Sequence, residues 1–150
     1  MGKSWHETAY TCGLVHDIGK VARFKLDEDD NDDKFILDSQ KALDKGINFF
    51  QAELLNDSPS HDYLGYLICR HWGLSGSVEE VVRWHHEPNP ELRERVKPDS
   101  DSSDLIDLVI IANWIVTDMK FGFSGHESPD SPSDALLSRL RIAHLDGVIQ

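Results

Sequence analysis

Basic residues are scarce in this chain, and the shortage limits which partners it can bind. Fifteen lysines and arginines stand against 27 aspartates and glutamates, which gives a formal net charge of −12. A charge of that sign repels phosphate backbones and anionic membrane surfaces at distances that salt does not screen. We therefore expect no bulk binding to nucleic acid. A small anionic ligand could bind only where a local cation, such as a metal ion, reverses the field.

Cysteines and long apolar runs are also few. The two cysteines, Cys12 and Cys69, could form one disulfide at most, and each lies in a helix-like apolar pattern where a thiol behaves as a small hydrophobe. The first ten residues lack the apolar centre of a signal peptide, and no window approaches 18 consecutive apolar residues. These absences predict a reduced, cytoplasmic protein with no membrane segment.

The pattern that is present is helical. No segment alternates at period two for four or more residues, so the sequence predicts an all-α fold. A length of 150 residues with 39% apolar content indicates a single domain, residues 1–150. Helical periodicity and capping signals place helices at about 7–17, 39–56, 60–72, 77–87, 105–121 and 133–144. Gly19 is predicted to stop the first helix, and the acidic stretch 25–34 is predicted to be a solvated loop.

Histidines continue the apolar stripes of several predicted helices. His85 follows Val78 and Val82 at helical spacing and is predicted to face inward, with His86 on its flank. His61 stands in the first turn of its helix on the core-facing side, and His16 extends the apolar face of the first helix beside Asp17. Each histidine alone is explained equally well as a core residue bonded to a backbone carbonyl.

Asp118 is the most informative carboxylate. It follows Ile111, Trp114 and Ile115 by seven, four and three positions, which predicts a buried carboxylate. A buried carboxylate without a partner is costly, so it requires a cation, strong hydrogen bonds or a raised pKa. Four helices would thus each direct an imidazole or a carboxylate into one core. Nitrogen and oxygen ligands without thiolates favour iron, manganese, zinc or nickel over a structural zinc site.

The residues also form a family signature. The phrases GLVHDIGK, HDYLG, WHHEP and ANWIVTD resemble the HD superfamily of metal-dependent phosphohydrolases. The segment HDYLGYLICRHWGLSGSVEEVVRWHHEP is most similar to the HDOD subfamily, and the resemblance extends over about residues 9–122. It implies an HD-like bundle of about five to seven helices.

The resemblance also implies roles for individual residues. His16, Asp17 and Asp118 would bind a first metal ion. His61 and His85 or His86 would bind a second ion in two-metal relatives, with Asp17 bridging, and a degenerate member would bind none. Lys20 would contact a substrate phosphate.

The chain departs from the superfamily pattern in two places. The superfamily's first histidine lies on a helix well upstream, whereas only 15 residues precede His16, and His6 is too close to replace it. We therefore expect a chain that lacks the usual N-terminal helices: it is incomplete on that side, or another chain or segment supplies the ligand, or the first metal is bound with an open position. In addition, PNPELR follows His85, His86 and Glu87 where the cyclic di-GMP phosphodiesterases carry a glycine-tyrosine-proline phrase.

Two functions follow from the resemblance. The first is an HDOD-type regulatory domain of bacterial-type signal transduction, with sensor or output domains as partners and a homodimer as a further possibility. The second is a metal-dependent phosphohydrolase acting on a phosphomonoester or on a nucleotide phosphodiester, cyclic or not. In that case a metal ion would activate water, Asp17 would bridge or act as the base, and Lys20 would neutralise charge on a small phosphorylated ligand.

Overall fold

A computed structural model describes residues 3–30, 33–56, 59–98, 100–121 and 131–142. The structure is all-α, as predicted, and no β-strand occurs in these ranges. A short 3-10 helix at Pro90–Leu92 lies between the sixth and seventh α-helices. None of the helices in these ranges is long and apolar enough to cross a bilayer. The α-helices are α1 Lys3–Val15, α2 Ile18–Asp30, α3 Lys34–Lys45, α4 Phe49–Leu54, α5 His61–His71, α6 Gly76–Trp84, α7 Asp101–Asp118 and α8 Asp134–Arg139.

The acidic stretch after residue 25 is helical up to Asp30, so the prediction of a loop there is wrong. Arg23 and Asp27, one turn apart on α2, are buried, and Asp27 accepts a hydrogen bond from the backbone N–H of Phe35. This face of α2 is polar and packs against α3. The sequence therefore shows no apolar periodicity here, although the segment is helical. Gly19 lies in the first turn of α2 and does not stop a helix.

The single helix predicted over 39–56 is two helices. Gly46 takes a left-handed conformation with φ of 62° and ends α3. Two residues later Asn48 caps α4, because its side chain accepts from the Gln51 N–H at 2.8 Å while the Gln51 side chain accepts from the Asn48 N–H at 3.0 Å. The break separates α4 from α3.

Helices α5 and α6 lie within three residues of their predicted bounds, whereas α7 begins four residues before 105 and α8 already ends at Arg139; residues 143 and 144 of the last prediction lie outside the described ranges. Helix α5 ends before Gly73, which adopts φ of 66°. Helix α6 begins at Gly76, directly after Ser75. Ser133 caps α8 by accepting from the Leu136 N–H at 3.3 Å.

The apolar core lies among α1, α5, α6 and α7. The free cysteines Cys12 and Cys69 are fully buried in it, packed with Val81, Val82 and Ile106. Burial raises the pKa of Cys12 to about 11. Both thiols therefore belong to the hydrophobic core, as the sequence predicts.

Two glycines let α2 and α5 meet backbone to backbone. A Cβ atom on Gly19 would lie 1.7 Å from the carbonyl oxygen of His61 and 2.6 Å from the nitrogen of Gly65. A Cβ atom on Gly65 would lie 2.7 Å from Val82 on α6. This close approach places the turn between α1 and α2 beside the first residue of α5.

A buried ion cluster attaches α8 to α7. Asp107 is 1% exposed and accepts from Arg93 at 2.5 Å and from Arg139 at 2.6 Å. Arg93 also donates to the side chain of Ser103 at 3.1 Å. The cluster holds α8 in place, and α8 closes one side of a cavity.

Candidate metal centre

The turn between α1 and α2 presents His16 and Asp17. Adjacent positions of one helix point in different directions, but here the helix breaks and lets both side chains face the same space. The Nδ1 of His16 donates to the Gly13 carbonyl at 2.9 Å, and its Nε2 lies 3.5 Å from Oδ2 of Asp17. The two side chains therefore lie close together and face the same space.

Two further imidazoles approach the same carboxylate. His61, the first residue of α5, is fully buried and has its Nε2 at 3.2 Å from Oδ1 of Asp17. His85, directly after α6, is 2% exposed and has its Nε2 at 3.5 Å from that oxygen. The inward orientation predicted for both histidines is confirmed.

All three imidazoles are held by Nδ1, which leaves Nε2 directed at Asp17. His16 and His85 use backbone carbonyls, of Gly13 and Val82, each at 2.9 Å. Because a carbonyl oxygen only accepts, the Nδ1 atoms of His16 and His85 carry a hydrogen, and their Nε2 atoms face the carboxylate. Metal-binding histidines are commonly oriented in this way.

Three atoms of this group are buried and lack a well-directed hydrogen bond to any part of the chain that the structure describes. They are Nε2 of His16, Oδ1 of Asp17 and Nε2 of His85. A buried polar atom without a partner costs about 1–3 kcal/mol. A cation at this point would satisfy all three at once, so the residues present fit a metal ion.

His86 completes the arrangement. Its Nε2 lies 2.9 Å from Nε2 of His61, and its ring stacks on Phe50 with centroids 4.3 Å apart and an interplanar angle of 8°. Ligand atoms of Asp17, His61, His85 and His86 all lie within 4.8 Å of one another. Sequence reasoning singled out each of these four residues, and the structure brings them together.

Burial and the neighbouring charges shift the pKa values in this group. Burial alone would raise the pKa of Asp17, but the His61 and His85 imidazoles and the Lys20 ammonium hold it well below its usual range. Burial likewise opposes protonation of His61, yet the Asp17 and Glu53 carboxylates raise its pKa overall. Burial lowers the pKa of His85, and that of His86 falls well below its usual value, with nearby imidazoles adding repulsion.

The depressed pKa of His86 predicts acid sensitivity. The unfolded chain binds a proton at this residue below about pH 6.5 while the folded protein does not, so stability falls as the pH drops through that value. The wild type should lose stability between pH 7.5 and 5.5, and this loss should be smaller by about 1 kcal/mol in His86→Gln. Urea unfolding at both pH values measures the difference. The exposed His71→Gln variant is the control, and an equal pH response in both variants would contradict the prediction.

Asp118 lies elsewhere. It is exposed at the end of α7 and is not part of the group, so the prediction that it is buried is wrong. Helix α7 turns Ile110, Asn113, Trp114 and Thr117 toward the site, and Asp118 stands about 100° further round the helix than Thr117. The burial of Asp118 was predicted from the stripe of Ile111, Trp114 and Ile115. That stripe is displaced by one residue around the helix from the face of α7 that lies toward the site.

A cavity of about 440 Å³ opens on the histidines. Lys20 stands at its wall, with Nζ 2.7 Å from Oδ2 of Asp17 and 5.8 Å from the centre of the Phe49 ring. Sequence reasoning missed several polar wall residues, among them Asn48, Gln51 and Asn113. Asn113 and Thr117 follow the apolar residues Ile106 and Ile110 at helical spacing. Extending that apolar stripe along the helix could have found Asn113.

The fold and the site define a class: an all-α protein in which two buried imidazoles, two half-buried imidazoles and a carboxylate from separate parts of the chain converge. A model of the HDOD domain family matches residues 1–88, which is more than half of the chain. The chain belongs to the HDOD domain family. No match was found among curated proteins or among solved structures.

Proposed function

We propose that this protein is an HDOD-type regulatory domain of signal transduction that binds a divalent transition metal. Membership of the family supports the regulatory role. The metal is supported by one observation above all, which is that the Nε2 atoms of His16, His61 and His85 surround the Asp17 carboxylate while their Nδ1 atoms are held by other partners.

The donor set favours iron, manganese, zinc or nickel, as one ion or two. Imidazole nitrogen and carboxylate oxygen suit these metals, and both thiols are buried in the core among apolar residues. Asp17, His61, His85 and His86 would hold the ion, with His16 beside them. Asp17 supplies the negative charge of the set and has one oxygen near His16 and the other near His61 and His85.

Exposed apolar side chains support a partner protein. Tyr10 and Leu14 lie one turn apart on α1 and are 70% and 67% exposed, while Val21 and Phe24 on α2 are 65% and 54% exposed. Large exposed apolar side chains of this kind are typical of interaction surfaces. Sensor or output domains, or a second copy of the chain, are the proposed partners.

The cavity favours a second candidate, a metal-dependent phosphohydrolase. Its wall combines the histidine group, the Lys20 ammonium and the aromatic rings of Phe49, Phe50 and Trp114. A bound metal ion supplies Lewis acidity and a water of lowered pKa. In this role Lys20 would bind a phosphate oxygen of a small phosphorylated ligand, and Asp17 would accept a proton.

Hydrolysis separates the two candidates, and metal binding tests the site that both require. We expect the purified protein to bind Mn²⁺, Fe²⁺, Zn²⁺ or Ni²⁺ stoichiometrically in titrations without chelators and to leave bis(p-nitrophenyl) phosphate and p-nitrophenyl phosphate intact. Hydrolysis that disappears in Lys20→Met would instead support the enzyme. A folded protein that binds none of the four ions would contradict the metal site.

A further inference from the structure

We infer that Glu53 is a positioning residue for His61, and that this carboxylate from α4 directs Nε2 of His61 to the metal ion. The inference rests on the proposed metal site. Oε2 of Glu53 lies 2.6 Å from Nδ1 of His61, and both side chains are fully buried. Nδ1 must donate this hydrogen bond, because an ionised carboxylate only accepts.

The position of His61 in its helix explains why a distant residue is needed. His16 and His85 donate from Nδ1 to the carbonyl oxygen three residues earlier, so the backbone just before each histidine positions its own ring. His61 is the first residue of α5, so no turn of its own helix precedes it, and its Nδ1 bonds to Glu53 on α4. The acceptor therefore comes from another helix.

Glu53 holds the main chain of His61 as well as its ring. The His61 N–H lies 3.1 Å from Oε2 and 3.2 Å from Oε1 of Glu53, at the N-terminus of α5, where the side chain of Ser60 makes no capping bond. Contacts to backbone and ring of the same residue restrict the rotation of its side chain. A carboxylate on Nδ1 also makes the opposite nitrogen a stronger metal ligand.

Glu53 is in turn supported by charge. Nη1 of Arg23 lies 4.0 Å from its Oε1, and Arg23 is fastened by Asp38 at 2.6 Å and by the Pro59 carbonyl at 2.7 Å. The guanidinium thus lies between two fully buried carboxylates. This arrangement connects α2, α3 and α4 to the orientation of a single imidazole.

Glu53→Gln tests the inference, because glutamine keeps the shape of glutamate and loses its charge. We expect a 10- to 100-fold loss of Zn²⁺ affinity in a competition titration. In the metal-free protein, the strongly downfield Nδ1–H resonance expected for His61 should move upfield or vanish. Glu53→Asp, which keeps the charge but shortens the reach, should show the same changes.

Asp107→Asn is the matched control, since Asp107 is another buried carboxylate paired with arginine but lies outside the site. It should lose stability in urea and keep the Zn²⁺ affinity and the His61 resonance. Unchanged affinity and an unchanged resonance in folded Glu53→Gln would overturn the inference. If the wild type binds none of Mn²⁺, Fe²⁺, Zn²⁺ and Ni²⁺, the proposed metal site fails and the resonance alone decides: a shift in Glu53→Gln supports the hold on His61, and no shift overturns it.

Discussion

Replacing Gly19 by alanine should cost this protein about 3 kcal/mol or more, a large part of the 5–15 kcal/mol that stabilises a typical domain. The added methyl group would lie 1.7 Å from the carbonyl oxygen of His61, and backbone atoms of α5 cannot move aside without separating α5 from α2. Asp17 lies two residues before Gly19 and His61 is the residue contacted, so the same change should weaken metal binding. Urea unfolding measures the first effect and a Zn²⁺ titration the second.

Gly13→Ala is the internal control for that experiment. Gly13 is exposed on α1, and a Cβ atom there would meet no other atom within 4 Å. Alanine in an open helical position should stabilise the protein by about 0.5–1 kcal/mol. Equal stabilities for the two alanine variants would show that α2 and α5 do not touch at Gly19.

Asp17→Asn should abolish metal binding, with a loss of affinity of at least about 100-fold. Asp17 is the carboxylate that the surrounding imidazoles share, and the amide would remove its charge and present N–H groups to atoms that need a cation. The fold should persist, because Asp17 is partly exposed and its one ion pair with a lysine, at 2.7 Å, is also partly exposed. Elemental analysis and circular dichroism measure the two effects.

Asp118→Asn tests whether Asp118 lies outside the metal site, as its exposure indicates, or binds the metal ion, as the sequence predicts. The exposed Asp118 should be replaceable with no change in metal content. Loss of metal in Asp118→Asn together with retention in Asp17→Asn would refute the site described here. Loss in both variants would place the end of α7 in the metal centre, contrary to the exposure of Asp118.

Much of the site could be predicted from the chain because its members follow short-range rules. His61 and His85 stand at helical spacing from apolar neighbours, and both are buried. Family phrases added Asp17 and Lys20, which the structure places beside those histidines. Glu53 escaped notice because its partner, His61, is eight residues away on the next helix, and helical periodicity does not relate residues of two different helices.

The sequence by itself determined that the protein is all-α, which HDOD-like phrases it carries, and which imidazoles lie on apolar faces. Those properties depend on helical periodicity, which relates each residue to its own helix axis. Tertiary structure alone decided how each helix is rotated against its neighbours. That rotation turns Asn113 and Thr117 inward and leaves Asp118 in solvent, and it brings Glu53 to His61. The reason is that contacts between helices, such as the meeting of Gly19 with α5, set these angles, and no single helix contains that information.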